Sequence, residues 1–132
     1  MPTWLEISDV LYFHQQCIDE FGGLSGKRYA GALESTLARP QNLLSYEPST
    51  GVFTLAASYG FGLARNHCFS DGNKRISLIC MDVFLQLNGF ELVANEADAV
   101  AVIKDLASGS LSEKELESWL DENSREFDID AD

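Results

Sequence analysis

His67, Asp71, Asn73, Lys74 and Arg75 lie within one nine-residue stretch, "HCFSDGNKR", residues 67 to 75. His67 is the side chain in it whose ordinary pKa lies near neutrality, so it can take a proton from a hydroxyl group. Lys74 offers a point charge, and Arg75 a planar fork suited to phosphate oxygens. Asn73 can donate its amide, and Gly72, with no Cβ, lets the backbone come close to a ligand. Asp71 can hold Mg²⁺ through a single carboxylate while a nucleotide supplies further oxygens, as magnesium sites commonly do. Phe69 reads as an apolar anchor of the loop rather than a stacking platform. A base beside an anion cradle points to transfer of a phosphorus-centred group.

Two very apolar segments must position these residues. "GVFTLAASYGFGLARNH" predicts a buried central helix from about 52 to 66, capped by Ser49 or Thr50. "NKRISLICMDVFLQLNG" is apolar at Ile76, Leu78, Ile79, Met81, Val83, Phe84, Leu85 and Leu87, too broad for one stripe, so it too should be enclosed. The loop between them ends at a helix N-terminus near Gly72 or Asn73. Unpaired N–H groups and the positive end of the helix dipole favour an anion there. Singly, each residue has a plainer reading: a hydrogen-bonded structural histidine, an Asp-Gly-Asn turn, a solvated Lys-Arg pair. Two cations at the helix end where the dipole disfavours them shift the balance towards a bound anion.

The remaining chain predicts four more helices and an all-α fold of about six. The first runs from Ser8 as N-cap to the "GG" at 22 and 23, with Val10, Leu11, His14, Cys17, Ile18 and Phe21 inward. A shorter second carries Ala32, Leu33, Thr36 and Leu37 and stops before Pro40. "FELV" reads as a short extended piece. The fifth helix follows, with Ala97, Val100, Ala101 and Leu106 near helical spacing. In the sixth, Ser112 precedes Glu115 by three residues, the spacing of a capping box, and Leu116, Trp119 and Leu120 form its inner edge. One domain over 1–122 and an acidic, flexible tail over 123–132 are expected.

Composition bounds the function. A chain of 132 residues with 45% apolar content suits a single core. Nine Lys and Arg against 21 Asp and Glu give a net charge of −12, which opposes direct nucleic-acid binding. Cys17, Cys68 and Cys80 lack metal-ligand or disulfide spacing, which fits a reducing cytoplasm. The start of the chain has neither a cationic nor a continuous apolar signal region, and no segment reads as a membrane span.

The nine-residue stretch resembles the signature of the Fic/Doc family, H-x-F-x-[DE]-[AG]-N-[GK]-R. It matches at His67, Phe69, Asp71, Gly72, Asn73, Lys74 and Arg75. The likeness to the small "death on curing" toxins of that family extends through "FGGLSG", "RPQNLLSYE", "LARNHCF" and "FLQLNGFEL", roughly residues 5 to 120. The resemblance implies a compact helical fold with the active-site loop between two buried central helices. It also implies an enzyme that moves part of ATP onto a protein hydroxyl, with His67 as base, Asp71 on Mg²⁺ and Gly72 to Arg75 on the phosphates. Members with glycine at the position of Lys74 usually transfer AMP, whereas Doc-type members carry lysine there and act as kinases. Lys74, and Cys68 where AMP-transferring members have proline, therefore favour phosphorylation, with AMP transfer or a catalytically idle binding module as alternatives. A threonine of elongation factor Tu is the implied target, and an antidote protein whose disordered segment folds on binding the implied partner.

Three further features are weaker. "SWLDEN", Ser118 to Asn123, fits the family's inhibitory pattern [ST]-x-x-x-E-[GN], which is short enough to arise by chance. "GGLSGKR", 22 to 28, falls short of a phosphate-binding P-loop: it is one residue too tight and has Arg28 where Ser or Thr must meet Mg²⁺. His14, on the inner stripe of the first helix, reads as a satisfied core or groove residue.

Overall fold

In the structure, a computed structural model describing residues 1–29 and 31–128, the third helix is the one around which four others pack. This helix, α3 (Val52–Arg65), touches α2 (Ala32–Tyr46), α4 (Asn73–Leu87), α5 (Glu96–Ser108) and α6 (Glu113–Glu122). Small residues permit that crowding. A Cβ at Gly60 would fall 2.2 Å from the Met81 sulfur of α4, and one at Gly62 would fall 2.7 Å from Thr36 Cγ2 of α2. The close α3–α4 approach also lets the Ser77 hydroxyl donate to the Gly60 carbonyl at 2.7 Å. Around it, Leu55, Tyr59, Leu63, Ile76, Met81, Phe84 and Leu85 are fully buried. Each such side chain contributes about 1.5–3 kcal/mol on leaving water. The two helices that flank the loop are thus the best anchored of the fold.

α1 (Ile7–Phe21) packs on α4 and α2. It starts before the expected Ser8 cap, from Glu6, and no side chain caps it. Its inner face narrows to Val10, His14 and Cys17, while Leu11 and Phe21 are exposed, because α1 lies on the outside of the bundle and offers one stripe only.

The second helix departs most from expectation. It runs through Pro40 to Tyr46, although proline removes an N–H and the hydrogen bond to the carbonyl four residues back. Burial of Leu37 and Pro40, and packing of Leu44 against the core, offset that loss. The expected Ser49 or Thr50 cap of α3 is also replaced. Gly51 is the N-cap, and the Thr50 hydroxyl turns back to the Glu47 carbonyl at 2.6 Å.

α5 presents Ala99, Ile103 and Leu106 to the core, one step out of phase with the expected Ala97, Val100 and Ala101, which are exposed. α6 carries the expected capping box, both halves formed between Ser112 and Glu115. A short antiparallel pair joins β1 (Phe90–Leu92) to β2 (Ser124–Glu126), with Glu91 opposite Arg125 and the two ion-paired. The first part of the expected tail thus forms a strand, and Ile129 to Asp132 lie outside the described residues. Among the described residues no helix is long and apolar enough to cross a membrane.

Candidate active site

The loop leaves α3 at Asn66, whose amide donates to the Thr36 hydroxyl at 3.0 Å. His67 follows at φ 50°, the left-handed region, where among the described residues every other member is glycine. A side chain there costs about 1–2 kcal/mol, and such strain concentrates at functional positions. The turn leaves the His67 ring exposed and drives Cys68 and Phe69 into the core. The Cys68 sulfur sits 3.3 Å from the Thr36 hydroxyl. Burial pushes its thiol up from the ordinary range, against the lowering effect of the Thr36 contact, so it is a poor nucleophile.

Three elements brace the loop. From α4, the Asn73 side chain spans the turn: its oxygen accepts the Phe69 N–H at 3.1 Å, and its amide donates to the Phe69 carbonyl at 3.0 Å. From the segment after α1, Arg28 N–H donates to the Cys68 carbonyl at 3.0 Å, and the Gly26 carbonyl accepts the Ser70 N–H at 3.2 Å. The same segment gives the Leu24 N–H to Asp71 Oδ2 at 2.7 Å. From α1, the His14 ring stacks on Phe69 with centroids 3.7 Å apart, and its Nε2 lies 2.7 Å from the Asp71 carbonyl.

Gly72, at φ 80°, is the N-cap of α4 and has no side chain to satisfy the first turn. Beside it opens a cleft of about 360 Å³. Gly72, Asn73, Lys74 and Arg75 form one wall with Leu78; Val100, Ile103 and Lys104 of α5 form the other. Both walls thus combine cationic and apolar side chains around a space within the range of small-molecule sites, in a chain that is strongly acidic overall.

The sequence profile of the Fic/DOC family matches residues 4–85, which takes in α1 to α3, the whole loop and most of α4. The chain belongs to the Fic/DOC family. Among its relatives, the protein named protein kinase doc of Escherichia phage P1 is 32% identical over 104 residues, covering 79% of this chain and 82% of the relative. The protein named toxin Doc of Mycolicibacterium smegmatis is 37% identical over 96 residues, 72% of each chain.

Within this Fic/DOC loop, Gly72, Asn73, Lys74 and Arg75 are brought together at one cleft, whereas His67, Phe69 and Asp71 do not line it. Lys74 is exposed and makes no ion pair among the described residues. Arg75 lies over the Phe21 ring, 4.2 Å from its centroid. The Asn73 amide, expected to face phosphate, is instead engaged in clasping the loop, with one N–H left over. Asp71 keeps one carboxylate oxygen beyond the bond to Leu24, which suits a cation held by one carboxylate and substrate oxygens. Gly72 is required by its left-handed backbone and by His14, since a Cβ would fall 3.3 Å from His14 Nε2. The pattern Ser118 to Asn123 stays on α6: Ser118 donates to the Lys114 carbonyl and Asn123 to the Trp119 carbonyl, away from the cleft lining.

Sequence reasoning missed three parts of the site. The 22–28 segment, set aside as a failed P-loop, is the brace of the loop and of Asp71. Lys104 and Val100 complete the cleft from α5. His14 lies in the interior, as its position on the inner stripe of α1 predicts, but nothing in the sequence links it to Asp71 beyond a histidine on an otherwise apolar stripe.

Proposed function

We propose that this Fic/DOC protein is a Doc-type toxin that acts as a protein kinase, moving the γ-phosphate of ATP to a serine or threonine hydroxyl. The observation that carries the reading is the first turn of α4. It lacks a side-chain cap, bears Lys74 and Arg75, and opens on a cleft that Lys104 also lines. Such an end takes an anion through its N–H groups, the dipole and the added cations together. His67, held exposed in the strained turn that precedes it, is the base.

In this mechanism the triphosphate lies along Gly72 to Arg75, with Lys74 placed so that the terminal phosphate faces the incoming hydroxyl. His67 takes the hydroxyl proton as that oxygen bonds to the γ-phosphorus, and the bond from the γ-phosphorus to the bridging oxygen breaks, releasing ADP. Asp71 would hold Mg²⁺ through its remaining oxygen, and the ion would supply charge neutralisation at the β- and γ-phosphates. Asn73 and Phe69 keep the loop in register, and they do so from inside it.

The names of the two relatives support the assignment of kinase and toxin. The target implied by the resemblance of the 67–75 stretch to Doc-type toxins is a threonine of elongation factor Tu, whose modification would stop translation, in the cytoplasm. The toxin would be held off by an antidote with a segment that folds on docking.

The test is label transfer. The protein is incubated with elongation factor Tu and ATP labelled at either the γ or the α position, and the target alone should carry γ label. Label from the α position would make the chain an AMP transferase, and label from neither would make it a binding module. His67→Ala should lower transfer by about 10²–10⁴-fold, the range of general base catalysis, with an unchanged circular dichroism spectrum.

A further inference from the structure

His14 lies 57 residues from Asp71 in sequence yet contacts its carbonyl, and the reading of 67–75 as the catalytic loop leaves it without a role. The ring is 2% exposed and sits between the Phe69 ring, nearly parallel at 10°, and the Gly72 backbone. Its Nε2 faces the Asp71 carbonyl at 2.7 Å. A carbonyl oxygen only accepts, so Nε2 carries the proton and His14 is the donor.

That bond fixes more than Asp71. The peptide from Asp71 to Gly72 is trans, and in a trans peptide the C=O and the following N–H point in opposite directions. With the carbonyl turned inward to α1, the Gly72 N–H is turned away from α1. Among the described residues that N–H has no partner, and Gly72 lines the cleft. Were the peptide to flip, a carbonyl oxygen would point where the anion must sit, and the first N–H of the cradle would be lost.

We infer that His14 is a positioning residue for the reaction: its Nε2–H locks the 71–72 peptide so that the Gly72 N–H faces the phosphate, and its ring sets the depth of Phe69. The inference rests on the kinase reading only for its effect on transfer. Neither the family signature nor the 67–75 stretch includes this residue.

Two measurements test it. In histidine-¹⁵N-labelled wild-type protein, long-range NMR should find His14 protonated at Nε2, with a proton that exchanges slowly with solvent. A His14 whose Nε2 lacks the proton overturns the inference whatever the activity. The second compares His14→Phe, which keeps a stacking ring but deletes the donor, with His14→Gln, whose amide nitrogen can reach the place of Nε2. The readouts are transfer of γ label and the shift of the Gly72 amide signal on titration with inorganic pyrophosphate.

His14→Phe should lose transfer on the order of 100-fold, as for a catalytic group displaced by about 1 Å, and its Gly72 amide should no longer respond. His14→Gln should return to within roughly tenfold of wild type, the value of one hydrogen bond. A Phe variant equal to wild type, or a Gln variant as impaired as the Phe one, overturns the inference. If the Phe variant does not fold, the Gln variant and the wild-type proton decide. If wild-type protein transfers no γ label while the Nε2 proton and the pyrophosphate response are present, the kinase reading fails and the role of His14 in shaping the anion site stands.

Discussion

The N-termini of α4 and α6 solve the same problem in opposite ways. Both begin with N–H groups that the helix itself cannot satisfy. At α6, Ser112 accepts the Glu115 N–H at 3.0 Å, Glu115 reaches back to the Ser112 N–H at 3.0 Å, and Glu113 adds a second acid to the turn. At α4, Gly72 offers no side chain, no acid occupies the first turn, and Lys74 and Arg75 stand there instead. Missing caps alone do not single α4 out, since α1, α2 and α3 also lack them. What distinguishes α4 is the added positive charge together with a cleft. One helix end is closed on itself, and the other is left open, as the proposed anion site requires.

The comparison breaks most sharply if the α4 end is given the chemistry of α6. Lys74→Glu removes a phosphate contact and sets a carboxylate against the incoming anion, so γ-label transfer should fall on the order of 100-fold or more. The same change should stabilise the folded protein by about 0.3–1 kcal/mol, because an acid now meets the positive end of the helix dipole. Urea unfolding measures the second effect. A variant that loses both activity and stability would mean that Lys74 supports the fold and that the open end is not poised for an anion.

The contrast between the two ends also sorts what could be read from sequence. The α6 cap was legible because its two residues are three apart and need nothing else. The α3 and α4 helices were legible from apolar density, and the loop from Gly72 and its neighbouring charges. What escaped was non-local. Pro40 continues a helix because buried Leu37 and packed Leu44 outweigh its missing N–H, and no local rule registers that packing. Leu24 with Asp71, Gly26 with Ser70 and His14 with Asp71 meet only once α1 is laid against α4. The Asn73 side chain turning back four residues to Phe69 was within reach of local reasoning, but a phosphate-facing role competed for the same amide. The strand at 124–126 was hidden by an acidic composition that its partner β1 overrides through Arg125 and Glu91.

A smaller effect should come from opening the closed end. Ser112→Ala deletes the acceptor for the Glu115 N–H and should cost about 1 kcal/mol in urea unfolding. Transfer should be unchanged, because α6 does not line the cleft. A fall in transfer at unchanged stability would show that the α6 end is coupled to the site and that the two termini are not independent.

The least of the effects is in pH. The Glu115 carboxyl is held below its ordinary value of 4.5, first by the backbone N–H of Ser112 and then by the Ser112 side chain. A carboxyl with a depressed folded-state pKa stabilises the fold above its unfolded-state value and loses that contribution as pH falls through the folded one. The capping box should therefore weaken on acidification below about pH 4.5, and Glu115→Gln should flatten that part of the stability profile. The α4 end has no carboxylate in its first turn, so Lys74→Gln should leave the acid limb as steep as in wild type. Because Glu115 is exposed, salt and water screen the interaction, and the difference between the two profiles will be small. Matching acid limbs for Glu115→Gln and wild type would mean that the geometry of the box, and not its charge, holds the α6 end shut.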